Sequence, residues 1–264
     1  MEVHHHAHTS RKKWTHYFWE FLMLFLAVFC GFLAEYTLEH KIEKDREKQF
    51  ISSLVDDVKA DITQLNSVIQ KRDEKIQRLD SLIQLINLPN YATYGSDIYF
   101  YAIHTARLVD IKFTANDGTL LQLKNSGGLR LIRNRAVADS IAHYDVSVRN
   151  LDELGEQETL ISHEYRTFAK RIFNSLIFDR MLDENNISHR PAGNPSLLAF
   201  NKQDLADLNF TVYTIKLIVK GMRRDSKKLL QQAMNLLATI NEKYHLEQKI
   251  MGVRIVHIHQ PAVT

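Results

Sequence analysis

Histidines, one cysteine and a loose group of basic residues are the side chains here from which chemistry could be built. The densest set is His4-His5-His6-Ala7-His8, and imidazole is the commonest protein ligand for transition metals. A tail without a second layer of groups to orient the rings makes a weak site, so we assign no metal to it. His257 and His259 share a face only in an extended segment and read as surface decoration. Lys124, Arg130, Arg133 and Arg135 surround Gly127-Gly128. Backbone amides at a helix start together with guanidinium groups could hold an anion there. A capped helix followed by a solvated basic turn accounts for the same residues, so the four form a weak candidate anion-binding set. His143, Tyr144 and Asp145 are adjacent, and on a helix they diverge; spacing alone makes no triad of them. A zinc-protease signature, an ATP-binding glycine loop and a nucleophile elbow are all missing from the sequence. The expectation is a protein that is not an enzyme and has no cofactor.

The elements that would position these groups are helical. Among 264 residues only 9 are Gly and 4 Pro, which argues against a turn-rich β chain and for long helices. A net charge of +3 is too small to imply nucleic acid. The single cysteine, Cys30, excludes an intrachain disulfide and lies in an apolar run. That run, YFWEFLMLFLAVFCGFLA over residues 17–34, has Glu20 as its one charge and is flanked by Trp14 and Tyr36. About 20 such residues span a bilayer, with aromatic side chains at both interfaces. A core helix of a soluble domain would not need to be so uniformly apolar. A cleaved signal peptide would want a small residue where Phe32 precedes Leu33-Ala34. The segment therefore reads as an uncleaved anchor. The compact Arg11-Lys12-Lys13 cluster before it places the N-terminus inside and the following domain outside, although the first residues beyond the span also carry basic side chains.

Beyond the span, residues 34–88 contain neither Pro nor Gly. Val55, Ile62, Ile69, Ile76 and Ile83 alternate with Ile51, Val58, Leu65, Arg72, Leu79 and Ile86 at 3–4 spacing. Leu54, Val68 and Leu82 widen the stripe toward a bundle face. One helix is expected to run from the membrane to about Leu88. Arg72 is the exception at a core position: it either pairs with a carboxylate from another helix and fixes register, or snorkels to water. A second helix is expected over residues 96–113, capped by Ser96 or Asp97, then a short helix over 119–124 and a short turn over 129–133. Gly127 or Gly128 should take positive φ at a helix end. A long helix over 135–182 has a stripe that shifts after Leu154-Gly155, which resembles a stutter. A loop over 184–200 and a heptad helix over 203–246 follow, then an alternating tail at 253–259. The chain thus divides into a His-rich basic tail (1–13), a transmembrane helix (14–36), a helical-bundle domain (37–250) and a C-terminal tail (251–264). The expected fold class is all-α, an anchor helix continuous with a long amphipathic helix in an elongated antiparallel bundle.

Two stretches carry a resemblance. Residues 18–35 (FWEFLMLFLAVFCGFLAE) are followed by REKQFISSLVDDVKADI at 46–62, and LQLKNSGGLRLIRNRAVADSIAHYD occupies 121–145. Together they resemble a family of single-span inner-membrane proteins of Gram-negative bacteria. Its pattern is an anchor, a charged helix with a Leu-x-x-Asp-Leu-like segment, then Leu-x-x-Ser-Gly-x-Leu-x-Leu-Ile. Val55-Asp56-Asp57-Val58 and Ser126-Gly127-Gly128-Leu129-Arg130-Leu131-Ile132 match. The resemblance implies an N-inside anchor with an extracytoplasmic domain, and no site residues carry over from it. The expectation is a structural or interaction protein whose partners are the bilayer and either further copies of itself or another envelope protein. The alternative is a ligand- or anion-binding helical domain at the membrane surface.

Overall fold

The computed structural model describes residues 14–107 and 111–245. The histidine-rich start and the tail at 253–259 lie outside these. The chain forms two units, divided after Phe50. Most of the described residues are helical, and a lone bridge between Leu182 and Ser188 is the one extended pairing among them. Helix α1 spans Trp14–Ile86 without interruption.

In the first unit, α1 exposes its apolar side chains from Trp14 through Leu33, except Leu22, which is half-buried. Phe21, Phe25 and Phe29 stack along one face with centroids 6.2 and 5.8 Å apart, the spacing that i, i+4 residues give. Glu20 faces His16 one turn earlier, at 3.1 Å. This is the one described helix long and apolar enough to cross a membrane.

In the second unit, the 51–86 part of α1 packs with α4 (Arg135–Ile172) and α6 (Lys202–Tyr244). Tyr144 reaches Asp61, and Glu158 reaches Lys75, each pair 83 residues apart, so α1 and α4 run parallel. Asn87 with Asn209, Asp80 with Lys216, and Asp73 with Arg223 run in opposite order, so α6 is antiparallel to α1. The parallel α1–α4 pair requires a crossover, and residues 87–134 supply it. They contain a 3-10 turn (Tyr91–Tyr94), α2 (Gly95–Thr105), α3 (Gly118–Asn125) and a second 3-10 turn (Gly128–Leu131).

The α1 heptad is buried at every core position but Ile69 and Ile83, which are half-buried, and the widening residues Leu54, Val68 and Leu82 are buried too. Each buried Leu or Ile contributes about 1.5–3 kcal/mol of transfer free energy, so this face drives the docking. In α6 the positions from Leu208 to Ile240 behave the same way. A reciprocal cap opens that helix: Asp204 N–H donates to Asn201 Oδ1 at 2.9 Å, and Asn201 N–H to Asp204 Oδ2 at 3.2 Å.

Three expectations need correction. The helix expected over 96–113 ends at Thr105. The carbonyls beyond it are taken by side chains: Ala106 O accepts from Arg166, Arg107 O from Lys75, and Ile111 O from Arg72. Ile111 and Phe113 are then buried from a non-helical strand of chain. Neither Ser96 nor Asp97 caps its start. Gly95 is the first residue, and Asn194 Oδ1 from the distant loop accepts from Ser96 N–H at 3.1 Å. A Cβ on Gly95 would lie 2.1 Å from Pro195 O, so only glycine lets the loop approach. The helix expected over 135–182 breaks after Ile172 and resumes as α5 (Ser175–Arg180). At the break Leu198 N–H donates to Ile172 O, Asn174 N–H donates to Tyr99 Oη, and Asn174 Oδ1 caps Leu176. Finally, α4 has no stutter in its buried seam. Val137, Ile141, Tyr144, Val148, Leu151, Glu158, Ser162, Tyr165, Ala169 and Ile172 are buried, and with Gly155 they keep 4–3 spacing throughout. The apparent shift arose because three successive core positions are Gly, Glu and Ser.

Gly127 takes φ 67° directly after α3, with Ser126 N–H donating to Gln122 O and Gly127 N–H to Lys124 O. This is the left-handed helix end that the sequence called for. Gly127→Ala should destabilise the second unit by about 1 kcal/mol in urea titration, while Gly118→Ala, where an added Cβ meets nothing within 4 Å, should not.

Candidate functional site

Among the described residues, the clustered polar side chains lie in the second unit. Arg72 is on α1, 1% exposed, and points into the bundle. Its Nη1 donates to Glu158 Oε2 at 3.0 Å and its Nη2 to Ile111 O at 3.1 Å. Lys75, almost one turn further along, donates to Glu158 Oε1 at 3.0 Å and to Arg107 O at 3.3 Å. Both carboxylate oxygens of Glu158 are therefore held by buried cations. Ser162 Oγ–H donates to the Glu158 main-chain carbonyl, a helix back-bond that needs no partner elsewhere. Two cations and one carboxylate leave an excess positive charge, spread over two main-chain carbonyls. Burial pushes the Lys75 ammonium below its usual value; Glu158 opposes that, and the like charge of Arg72 adds to it. Among the described residues, Arg72 Nε–H has no acceptor. Of the two readings open for Arg72, the interhelical pair is the one realised.

A second polar group lies about three to four turns away along α1 and α4. Asp61, 1% exposed, accepts Tyr144 Oη–H at 2.6 Å on one oxygen. Its other oxygen accepts Asn116 N–H and Asn116 Nδ2–H at 2.8 and 2.9 Å. Asp57 accepts Thr119 N–H at the start of α3. Acidic residues of α1 thus pin the crossover that joins α1 to α4.

Two open grooves flank the Arg72–Glu158–Lys75 cluster. One, about 850 Å3, lies between α1, α2 and the turn at 182–188, with Lys75 in its wall. The other, about 660 Å3, has Arg72 and Glu158 in its wall and Asp117, Asp152 and Glu156 among its lining. Burial raises the Asp152 carboxyl above its usual range; Lys112 opposes this, and Asp117 and Glu156 reinforce it. No group of three His, Cys, Asp or Glu side chains suited to a metal occurs among the described residues.

The sequence-derived set is at the surface. Lys124 Nζ donates to both oxygens of Asp145 at 3.0 Å, and Arg135 is drawn to Asp139 at 3.8 Å. The Arg130 guanidinium lies against Gly127, and Arg133 is exposed. His143, Tyr144 and Asp145 do diverge: Tyr144 is buried on Asp61, Asp145 pairs with Lys124 and Arg149, and His143 is exposed. Sequence reasoning missed Glu158 and Lys75. The available signal was the unbroken heptad, which puts Glu158 at a core position opposite Arg72; Lys75 sits beside the heptad and gave none.

No family model, no curated protein and no solved structure matches the chain.

Proposed function

We propose that the chain is a membrane-anchored helical-bundle interaction protein of a bacterial inner membrane, with its N-terminus in the cytoplasm and its bundle on the outer side. The observation that carries this reading is α1 itself. Its first turns expose an apolar surface whose one charge is Glu20, and the same helix goes on to supply a core face of the bundle. Nothing in a soluble bundle would need the first half; a bilayer would cover it. The buried charges support a structural role, because both oxygens of Glu158 are already occupied and offer a reactant no free atom. The partners are lipid together with another copy of the chain or a second envelope protein, and not nucleic acid.

Alkaline carbonate should leave the full chain in the membrane pellet, and release into the supernatant would refute the anchor. An alkaline-phosphatase fusion after Thr264 should be active and a green-fluorescent fusion there dark; the reverse pattern would put the bundle in the cytoplasm. Crosslinking in native membranes followed by mass spectrometry should then recover either a homo-oligomer or one dominant envelope protein.

A further inference from the structure

The groove between α1, α2 and the 182–188 turn has a charge that the interaction role leaves unused. Lys71, Lys75 and Arg78 follow one another at i, i+4 and i+7, on one face of α1, and Arg107 joins them from the end of α2. Among the described lining residues the one carboxylate, Glu74, is drawn back to Arg78 at 3.6 Å and to Gln70 at 3.3 Å. Lys75 is held by Glu158. The Lys71 ammonium and the Arg107 guanidinium are left without a carboxylate among the described residues.

Arg78 is positioned rather than loose. Its Nη1 lies 3.2 Å from His104 Nδ1, and His104 Nε2 lies 2.9 Å from Ser188 Oγ. A guanidinium only donates, so Nδ1 accepts and the imidazole proton is on Nε2, directed at Ser188. The 182–188 turn is organised in turn by Asp183, which accepts Asn185 N–H and Ile187 N–H at 2.9 and 2.8 Å. That arrangement fixes the backbone at Ile187, which lines the groove together with Phe100 and Ile103. One part of the groove is cationic and another apolar, a lining suited to a small amphipathic ligand.

We propose that this groove binds an amphipathic organic anion, a carboxylate or phosphate ester whose head meets Lys71, Arg78 and Arg107 and whose apolar body lies on Phe100, Ile103 and Ile187. The proposal is independent of the anchor reading, since every residue it uses is in the second unit.

The probe is phenyl phosphate, titrated calorimetrically into the full chain held in phosphatidylcholine nanodiscs. Saturable binding is expected, with inorganic phosphate weaker and benzyl alcohol silent. Lys71→Ala and Arg107→Ala should each weaken binding about tenfold, the value of one charge-assisted hydrogen bond. Neither side chain has a hydrogen-bond or ion-pair partner among the described residues, so both variants should keep the wild-type thermal transition. Lys124→Ala, at the surface turn paired with Asp145, should bind as the wild type does. Repeating the titration with phosphatidylglycerol in the nanodisc separates two sources of the same chemistry. Weakened binding identifies a lipid headgroup as a competing occupant, and unchanged binding identifies a soluble solute. No saturable binding at millimolar phenyl phosphate would overturn the proposal, as would binding equally indifferent to Lys71→Ala, Arg107→Ala and Lys124→Ala.

Discussion

Glu158→Gln is expected to cost the bundle about 3–5 kcal/mol, because it keeps the shape of the side chain and leaves two buried cations without their anion. Replacing all three charged groups together (Arg72→Met, Lys75→Met, Glu158→Leu) should be much milder. An apolar cluster of similar volume has no charge to desolvate, although Arg107 O and Ile111 O then lose their donors at about 1–3 kcal/mol each. The pH dependence provides an independent check. Lys75 has a folded pKa below its ordinary 10.5, so the folded state binds its proton less tightly than the unfolded chain does. Stability from this group is therefore present above 10.5 and is lost as pH falls through the lowered value. Without Glu158 the ammonium is harder still to bury, so the deficit of Glu158→Gln should narrow as pH rises toward 10.5, and adding Lys75→Met should abolish the narrowing. Urea titrations followed by helical circular dichroism decide the matter. A Glu158→Gln deficit under about 1 kcal/mol would mean that water reaches the cluster and that the ions contribute little.

Asp61→Ala should destabilise by about 3 kcal/mol, since it strands three donors: the Tyr144 hydroxyl and both Asn116 groups. Tyr144→Phe removes one of them and should cost roughly 1–2 kcal/mol. Here too pH separates the explanations. Burial, then the hydrogen bond to Asp61 and its charge, push the Tyr144 phenol well above its ordinary value of 10.0. The folded state thus keeps a proton that the unfolded chain gives up, and the stabilisation is whole below pH 10.0 and lost as pH rises beyond it. The gap between wild type and Tyr144→Phe should accordingly shrink above that pH. Tyr165, also raised by burial, is common to both proteins and cancels in the comparison. A gap constant across the alkaline range would show that Tyr144 ionises freely and is not sealed against Asp61.

Much of this architecture is legible in the sequence. The unbroken heptad of α1, the α6 stripe and the glycine after α3 are local signals, read from side-chain period and backbone sterics, and each falls where expected. The apolar run at 17–34 belongs to the same class, because length and hydropathy alone decide what could cover it. The α4 seam was not legible in the same way, because successive core positions in it are not apolar. Gly155, Glu158 and Ser162 hid the α4 seam, since a stripe is followed by its apolar residues and these three are not apolar.

What the sequence determined by itself was an all-α chain with an N-terminal helix fit to span a bilayer, because period, breakers and apolar length are properties of neighbouring residues. Only the tertiary structure decided that α1 and α4 run parallel, that α2 stops at Thr105, and that Arg72 meets Glu158 from 86 positions away. The physical reason is the same in each case. A carbonyl leaves a helix when a distant donor takes it, and a charge stays in a core when a distant counter-charge meets it. Such partners are chosen by packing: the heptad marks Arg72 as a charge in a core position, but it does not name the residue that meets it.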